Sequence, residues 1–145
     1  MNINEIKTMV ETDVKIDTTC LDRESSLIPQ QHNKYLCFLM DEKLILAKYE
    51  ADLNVLRKNK WLYYSGKLSD DELKQLEWEP FELNILRNDV DKFLVSDKDI
   101  IDLSLKIALQ SEKVNYLESV VKLISNKMWS IRSSIDWIKF TQGVA

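Results

Sequence analysis

Twelve positions in the last third of the chain recur at alternating spacings of three and four: Ile100, Leu103, Ile107, Gln110, Val114, Leu117, Val121, Ile124, Met128, Ile131, Ile135 and Ile138. All but Gln110 are apolar, and no glycine or proline falls between Ser96 and Gly143. This is a heptad seam, and it predicts a helix from Ser96 to about Phe140 with Ser96 or Asp97 as its cap. Such a seam serves helix packing between chains or within one. Ser125 and Asn126 permit a turn, which leaves a hairpin as a second reading. A buried Gln in a seam fixes register at some cost in stability.

A second stripe runs through Tyr35, Leu39, Leu46, Tyr49, Leu53, Leu56 and Tyr63, again three and four apart, with Glu42 and Lys60 interrupting it. It predicts one long helix from about Pro29 to Ser65. Gly66 stands just past its end, where a left-handed backbone is needed. Proline disfavours helix at the residue before it, so a kink or restart is expected at Ile28. Asn4 to Thr12 reads as a short helix with Asn4 as cap, and Thr18 or Thr19 can cap a helix opening near Leu21. Ser69-Asp70-Asp71-Glu72 has the pattern of a capping box for a helix through Leu76. Two segments, 13–17 and 92–95, read as extended and are candidates for a short β element. The expected fold class is mainly α: long helices with a C-terminal heptad helical oligomerisation region. The expected division is an N-terminal helical region over 1–96 and a C-terminal helical oligomerisation region over 97–145.

Composition supports this. Of 145 residues, 30% are charged and 45% hydrophobic, with two Gly and two Pro, so helix breakers are nearly absent. The two cysteines, Cys20 and Cys37, are too few for a disulfide framework and read as reduced thiols. No run approaches the roughly 18–20 apolar residues of a membrane span. Met1 to Glu5 lacks the pattern of a secretion signal. A soluble intracellular protein is the expectation, with no membrane among its partners.

The formal net charge is -4, yet four cations and three aromatic rings crowd into residues 57–67, and no Asp or Glu occurs between Leu53 and Ser69. Arg57, Lys58, Lys60 and Lys67 suit phosphates; Trp61 is the first candidate for stacking on an unpaired base and Tyr64 the second. In a helix Arg57, Lys60, Trp61 and Tyr64 share a face, with Lys58 one position round. A second reading also fits: cations in a last helical turn complement the dipole, and Tyr63 lies on the apolar stripe. The two readings stand side by side for the block alone. Repetition of the block on an assembly built by the seam strengthens the first, because several weak sites on one strand bind by avidity. The seam residues expected at the interface are Ile107, Val114, Leu117, Val121, Ile124, Met128, Ile131, Ile135 and Ile138.

Other chemistry is set aside. His32 is the single histidine, so no His-rich metal site exists, and no nucleophile motif surrounds it. Two glycines exclude a P-loop and a dinucleotide fingerprint. The acid pairs Asp70–Asp71, Asp89–Asp91 and Asp97–Asp99 fall at expected loops and helix starts, where acids complement the dipole. The competing classes are a coiled-coil scaffold or adaptor without DNA binding and a small metal-dependent nuclease.

Several segments resemble the UvsY family of recombination mediators from T-even-type bacteriophages. Asp13-Val14, Ile16-Asp17 and Thr19 resemble the family's N-terminal segment. Lys58, Lys60 and Tyr63-Tyr64-Ser65-Gly66 match its DNA-contact motif. Ser96-Asp97-Lys98-Asp99 matches the opening of its C-terminal segment, and Phe140 and Gly143 resemble its end. The resemblance covers nearly the whole chain, apart from about 67–90. It implies a non-enzymatic protein, without a cofactor, that binds single-stranded DNA as a hexameric or heptameric ring. It further implies loading of a UvsX-type recombinase onto DNA covered by the phage single-strand binding protein, in the cytoplasm of the infected bacterial host. The implied contacts are Lys58 and Lys60. The family's arginine is Lys60 here, which keeps the charge and loses the planar fork.

Overall fold

The computed structural model describes residues 1–143; the last two positions of the region expected at 97–145 lie outside it. Five α-helices follow in order: α1 (Ile3–Asp13), α2 (Leu21–Tyr64), α3 (Asp70–Leu76), α4 (Val90–Val95) and α5 (Lys98–Thr141), with a 3₁₀ turn at Arg87–Asp89 leading into α4. No strand occurs among the described residues. The mainly α expectation holds and the β element does not. Asp13 closes α1. Residues 92–95 are helical because Val90 and Phe93, three apart, face inward, while Val95 is exposed. A strand would have put Phe93 and Val95 on one side.

The helix ends follow from local chemistry. Asn2, rather than Asn4, caps α1: its side chain accepts from the Asn4 N–H, and Glu5 returns the bond to the Asn2 N–H. Ser69 and Glu72 form the predicted capping box on α3. Asp97 caps α5, its Oδ1 accepting from the Ile100 N–H at 3.0 Å. At the end of α2 the Gly66 N–H donates to the Tyr63 carbonyl and the Lys67 N–H to the Leu62 carbonyl, with Gly66 at φ +70. That is a Schellman turn, and it is why glycine is needed there. Pro29 does not restart α2, which runs through it. The neighbouring Ile28 is buried, and Lys127 bonds Glu24 and Gln31 on either side of the proline, so packing outweighs the missing backbone bond.

The chain forms two compact units, one from residues 1–44 with 111–145 and the other from 45–110. Both long helices contribute to both units, so the units do not coincide with a boundary at 96/97. Within the first, Glu24 and Gln31 meet Lys127 and Glu42 meets Lys113, so α2 and α5 run antiparallel. Its core is aliphatic apart from one ring, Tyr35: Ile6 and Val10 of α1, Ile28, Tyr35 and Leu39 of α2, and Val114, Leu117, Val120, Ile124 and Ile131 of α5 are all buried.

The seam positions divide by burial. Val114, Leu117, Ile124 and Ile131 are spent inside the protomer, because α1 and α2 cover that face of α5. Ile107, Val121 and Ile138 are half-buried. Met128 and Ile135 are 54% and 37% exposed, beside exposed Trp129, Trp137 and Phe140.

Candidate nucleic-acid interface

The second unit holds the whole basic-aromatic block. Its antiparallel pairing is marked by Tyr49, whose ring receives the Lys106 ammonium at 4.5 Å, and by Lys60, which meets Asp97 and Asp99. Beyond α2, the chain reverses at Gly66, passes through α3 and reverses again at Glu77. Glu77 takes a left-handed conformation, φ 58, and the Trp78 N–H returns to the Leu73 carbonyl. This second Schellman turn brings Trp78 back to the end of α2. Tyr63, Tyr64, Trp78, Phe81 and Phe93 then form one ring cluster with centroids 5.0–5.7 Å apart. Tyr63 fixes one side by donating its hydroxyl to the Glu79 carbonyl at 2.6 Å.

Lys60 lies at the edge of this cluster, and it is only 6% exposed. Its ammonium bonds Asp99 at 2.8 Å and Asp97 at 3.1 Å, and stands 4.2 Å from the Trp78 ring centroid. Burial disfavours its charge, but the hydrogen bonds to Asp99 and Asp97 outweigh that and raise its pKa above the ordinary lysine value. Tyr64 donates its hydroxyl to Asp97 at 2.5 Å. Burial first, and the Asp97 bond second, push the Tyr64 phenol well above its usual range. Asp97 is buried, which pushes its carboxyl up. The bonds from Tyr64, the Ile100 N–H and Lys60 outweigh that and hold it below the ordinary 3.8.

The six residues expected to meet DNA therefore divide. The polar groups of Lys60 and Tyr64 are bonded to acids 33 to 39 positions away, which no local pattern reveals. Arg57, Lys58 and Lys67 are exposed, and Trp61 is half-buried. Trp61 and Lys67 come together, the ammonium 4.6 Å from the ring centroid, because the Schellman turn folds Lys67 back over the last turn of α2. Both line a groove of about 250 Å³ with Ser65, Ile85, Arg87 and Val90. Arg57 and Lys58 do not line it; they sit one helical turn upstream of Trp61. Sequence reasoning missed Arg87, which lies in the stretch without clear periodicity after Pro80.

No group of three or more His, Cys, Asp or Glu able to hold a metal occurs among the described residues. No described helix is long and apolar enough to cross a membrane.

Residues 9–144 match the family of the recombination, repair and ssDNA binding protein UvsY. The chain belongs to the UvsY family. It is 22% identical over 143 residues to the recombination protein uvsY of Enterobacteria phage T4, covering 99% of each chain. Crystal structures of the bacteriophage T4 recombination mediator protein UvsY share its fold. One superposes with a TM-score of 0.83 at 21% identity, over 97% of this chain and 99% of that one. Another lattice form gives 0.80, over 98% of each. A UvsY-type protein is thus a recombination and repair protein that binds single-stranded DNA, and the block on α2 is where its cations and rings concentrate.

Proposed function

We propose that this chain is a recombination mediator that acts by binding and not by catalysis. It grips single-stranded DNA as a homo-oligomeric ring, hexameric or heptameric. It then promotes loading of a UvsX-type recombinase onto DNA covered by the phage single-strand binding protein, in the cytoplasm of the infected host. The observation that carries the reading is the group Arg57, Lys58, Lys67 and Trp61: three exposed cations around one half-buried indole, in a stretch free of acids. Cations hold the backbone regardless of sequence, and the ring takes a base of any kind. An acidic protomer grips weakly alone; several copies on one strand gain by avidity. In this division of labour residues before 97 contact DNA and residues from 97 onward assemble the ring. Assembly uses Met128 and Ile135, the seam positions left exposed, with Trp129, Trp137 and Phe140 beside them.

The test is titration of a labelled poly-dT oligonucleotide at several salt concentrations with Arg57→Ala, Lys58→Ala protein. Two lost phosphate contacts flatten the slope of log affinity against log salt by about 0.7 each per protomer engaged. An unchanged slope and affinity removes these cations from the interface, and absence of binding by the unaltered protein favours the scaffold reading. For assembly, Met128→Asp with Ile135→Asp lowers the oligomer mass in light scattering while the circular dichroism of the fold persists. An unchanged mass rejects this face.

A further inference from the structure

We propose that the groove beside Trp61 holds a single unstacked nucleotide of the DNA strand, with Arg87 as a phosphate contact outside the basic block. This rests on the single-strand reading above and narrows it to a place. One wall comes from the end of α2 and its turn, with Trp61, Ser65 and Lys67; the other comes from Ile85, Arg87 and Val90. Its lining includes no carboxylate, although the protein as a whole carries more acids than cations. Trp61, Ile85 and Val90 offer apolar surface to a flat base. Lys67 and Arg87 offer two positive charges to its phosphate. The Ser65 hydroxyl oxygen is enclosed at this site without a hydrogen-bond partner. A hydroxyl both donates and accepts, so a rotation about the Cα–Cβ bond that turns it into the groove lets a phosphate oxygen or a base edge satisfy it.

Arg87 is held for this task. It stands on the 3₁₀ turn, exposed and outside every ion pair of the described residues. Three residues on, Val90 is 2% exposed and pins the turn to the second unit. A planar guanidinium on an anchored turn can bind a phosphate through two parallel bonds. Lys67 plays a different part. Its ammonium rests over the Trp61 ring, and a base that stacks on that face displaces it. The flexible stem then lets the ammonium turn to the phosphate of the same nucleotide.

Arg87→Ala and Arg87→Gln proteins titrated with labelled poly-dT across a salt series should bind more weakly. The slope of log affinity against log salt should fall by about 0.7 per protomer engaged. Arg87→Lys should recover most of the slope. Trp61→Phe should keep the slope and lose most of the tryptophan emission change that poly-dT produces in the unaltered protein. If Arg87→Ala and Arg87→Gln bind with unchanged affinity and slope while Arg57→Ala, Lys58→Ala protein is weakened, the groove is wrong and the single-strand reading survives. If the unaltered protein does not bind poly-dT, both fall. An acidic peptide that binds Arg87-dependently where poly-dT does not also overturns the proposal.

Discussion

The two units share a device and use it differently. In the first, Asp13 accepts from Tyr35, its hydroxyl at 2.7 Å, and from the Lys34 ammonium. In the second, Asp97 accepts from Tyr64 at 2.5 Å and Lys60 at 3.1 Å. Around Asp13 lies a core containing ten of the twelve buried apolar residues among those described, nine of the ten aliphatic and the tenth Tyr35 itself. Around Asp97 there are only two, Val90 and Ile100, and half-buried rings fill the space instead. The first unit is held by burial, with the ionic trio clasping the end of α1 onto α2. The second depends on its trio and ring cluster, and it is the one that carries the exposed cations. Binding surfaces sit where local stability is lower and side chains remain free to move. Ring packing also leaves edges exposed, which an aliphatic core does not.

The first way to break this comparison is to remove one cation from each unit. Lys127 is 5% exposed and bonds Glu24 at 3.1 Å, Gln31 at 3.2 Å and the Asp13 carbonyl at 2.8 Å. It thus neutralises the negative end of α1 as well as the half-buried Glu24 carboxylate. Lys127→Ala leaves all three acceptors unpaired and should cost about 3 kcal/mol in urea unfolding. Lys60→Ala leaves Asp97 with Tyr64 and the Ile100 N–H, so a loss of about 2 kcal/mol is expected. The DNA arm sharpens it: Lys58→Ala should weaken poly-dT binding without moving the melt, and Lys60→Ala should move the melt. A Lys60→Ala protein with an unaltered melt and a reduced salt slope would restore Lys60 as a direct contact.

That difference between neighbouring lysines marks the limit of what sequence discloses. Local patterns stated the long helices, Gly66, the Ser69 box and the polar interruptions of each stripe, because capping and periodicity are settled within a few residues. The polar interruptions were the informative ones: Glu42 meets Lys113 at 3.2 Å, and Lys60 meets Asp97 and Asp99. What remained hidden was the partner of each. Spacing alone marks a face without saying whether the same chain or another covers it; Val114, Leu117, Ile124 and Ile131 fit an interface by spacing and are buried within the chain itself. Arg87 was invisible for the same reason: the facing wall of its groove, Trp61, Ser65 and Lys67, lies across two chain reversals.

A smaller effect comes from acid. Burial opposes ionisation of both Asp13 and Asp97. The side-chain bonds of Lys34 and Tyr35 in one case, and those of Tyr64, the Ile100 N–H and Lys60 in the other, still hold both pKa values below the ordinary 3.8. A depressed carboxyl binds its proton more readily in the unfolded chain. Its contribution is therefore complete above pH 3.8 and disappears as pH falls through the folded value. Unfolding followed by urea and circular dichroism between pH 5 and pH 2.5 should show stability falling below about pH 4. Asp13→Asn and Asp97→Asn proteins should each be less stable at pH 7, and their deficit should narrow as pH falls. A deficit that stays constant to pH 2.5 for Asp97→Asn would mean that its charge does not support the second unit.

The smallest expected change adds stability to the unit that lacks an aliphatic core. Two Schellman turns bring the rings together there, one at Gly66 and one at Glu77, and only the first uses glycine. Glu77 holds φ 58, where a Cβ crowds the backbone at a cost of roughly 1–2 kcal/mol. Glycine removes that cost and returns part of it as chain entropy in the unfolded state, roughly 0.5–1 kcal/mol. Glu77→Gly should therefore gain about 0.5 kcal/mol and raise the melting temperature by about 1–2 °C. Gly66→Ala, the converse change, should lose stability by a similar or larger amount, since nothing lies within 4 Å of the added Cβ and conformation alone opposes it. If Glu77→Gly lowers the melt while Gly66→Ala leaves it unchanged, the reversals are not what positions Trp78 against Tyr63 or Lys67 against Trp61, and the contrast between a burial-held unit and a turn-held one loses its basis.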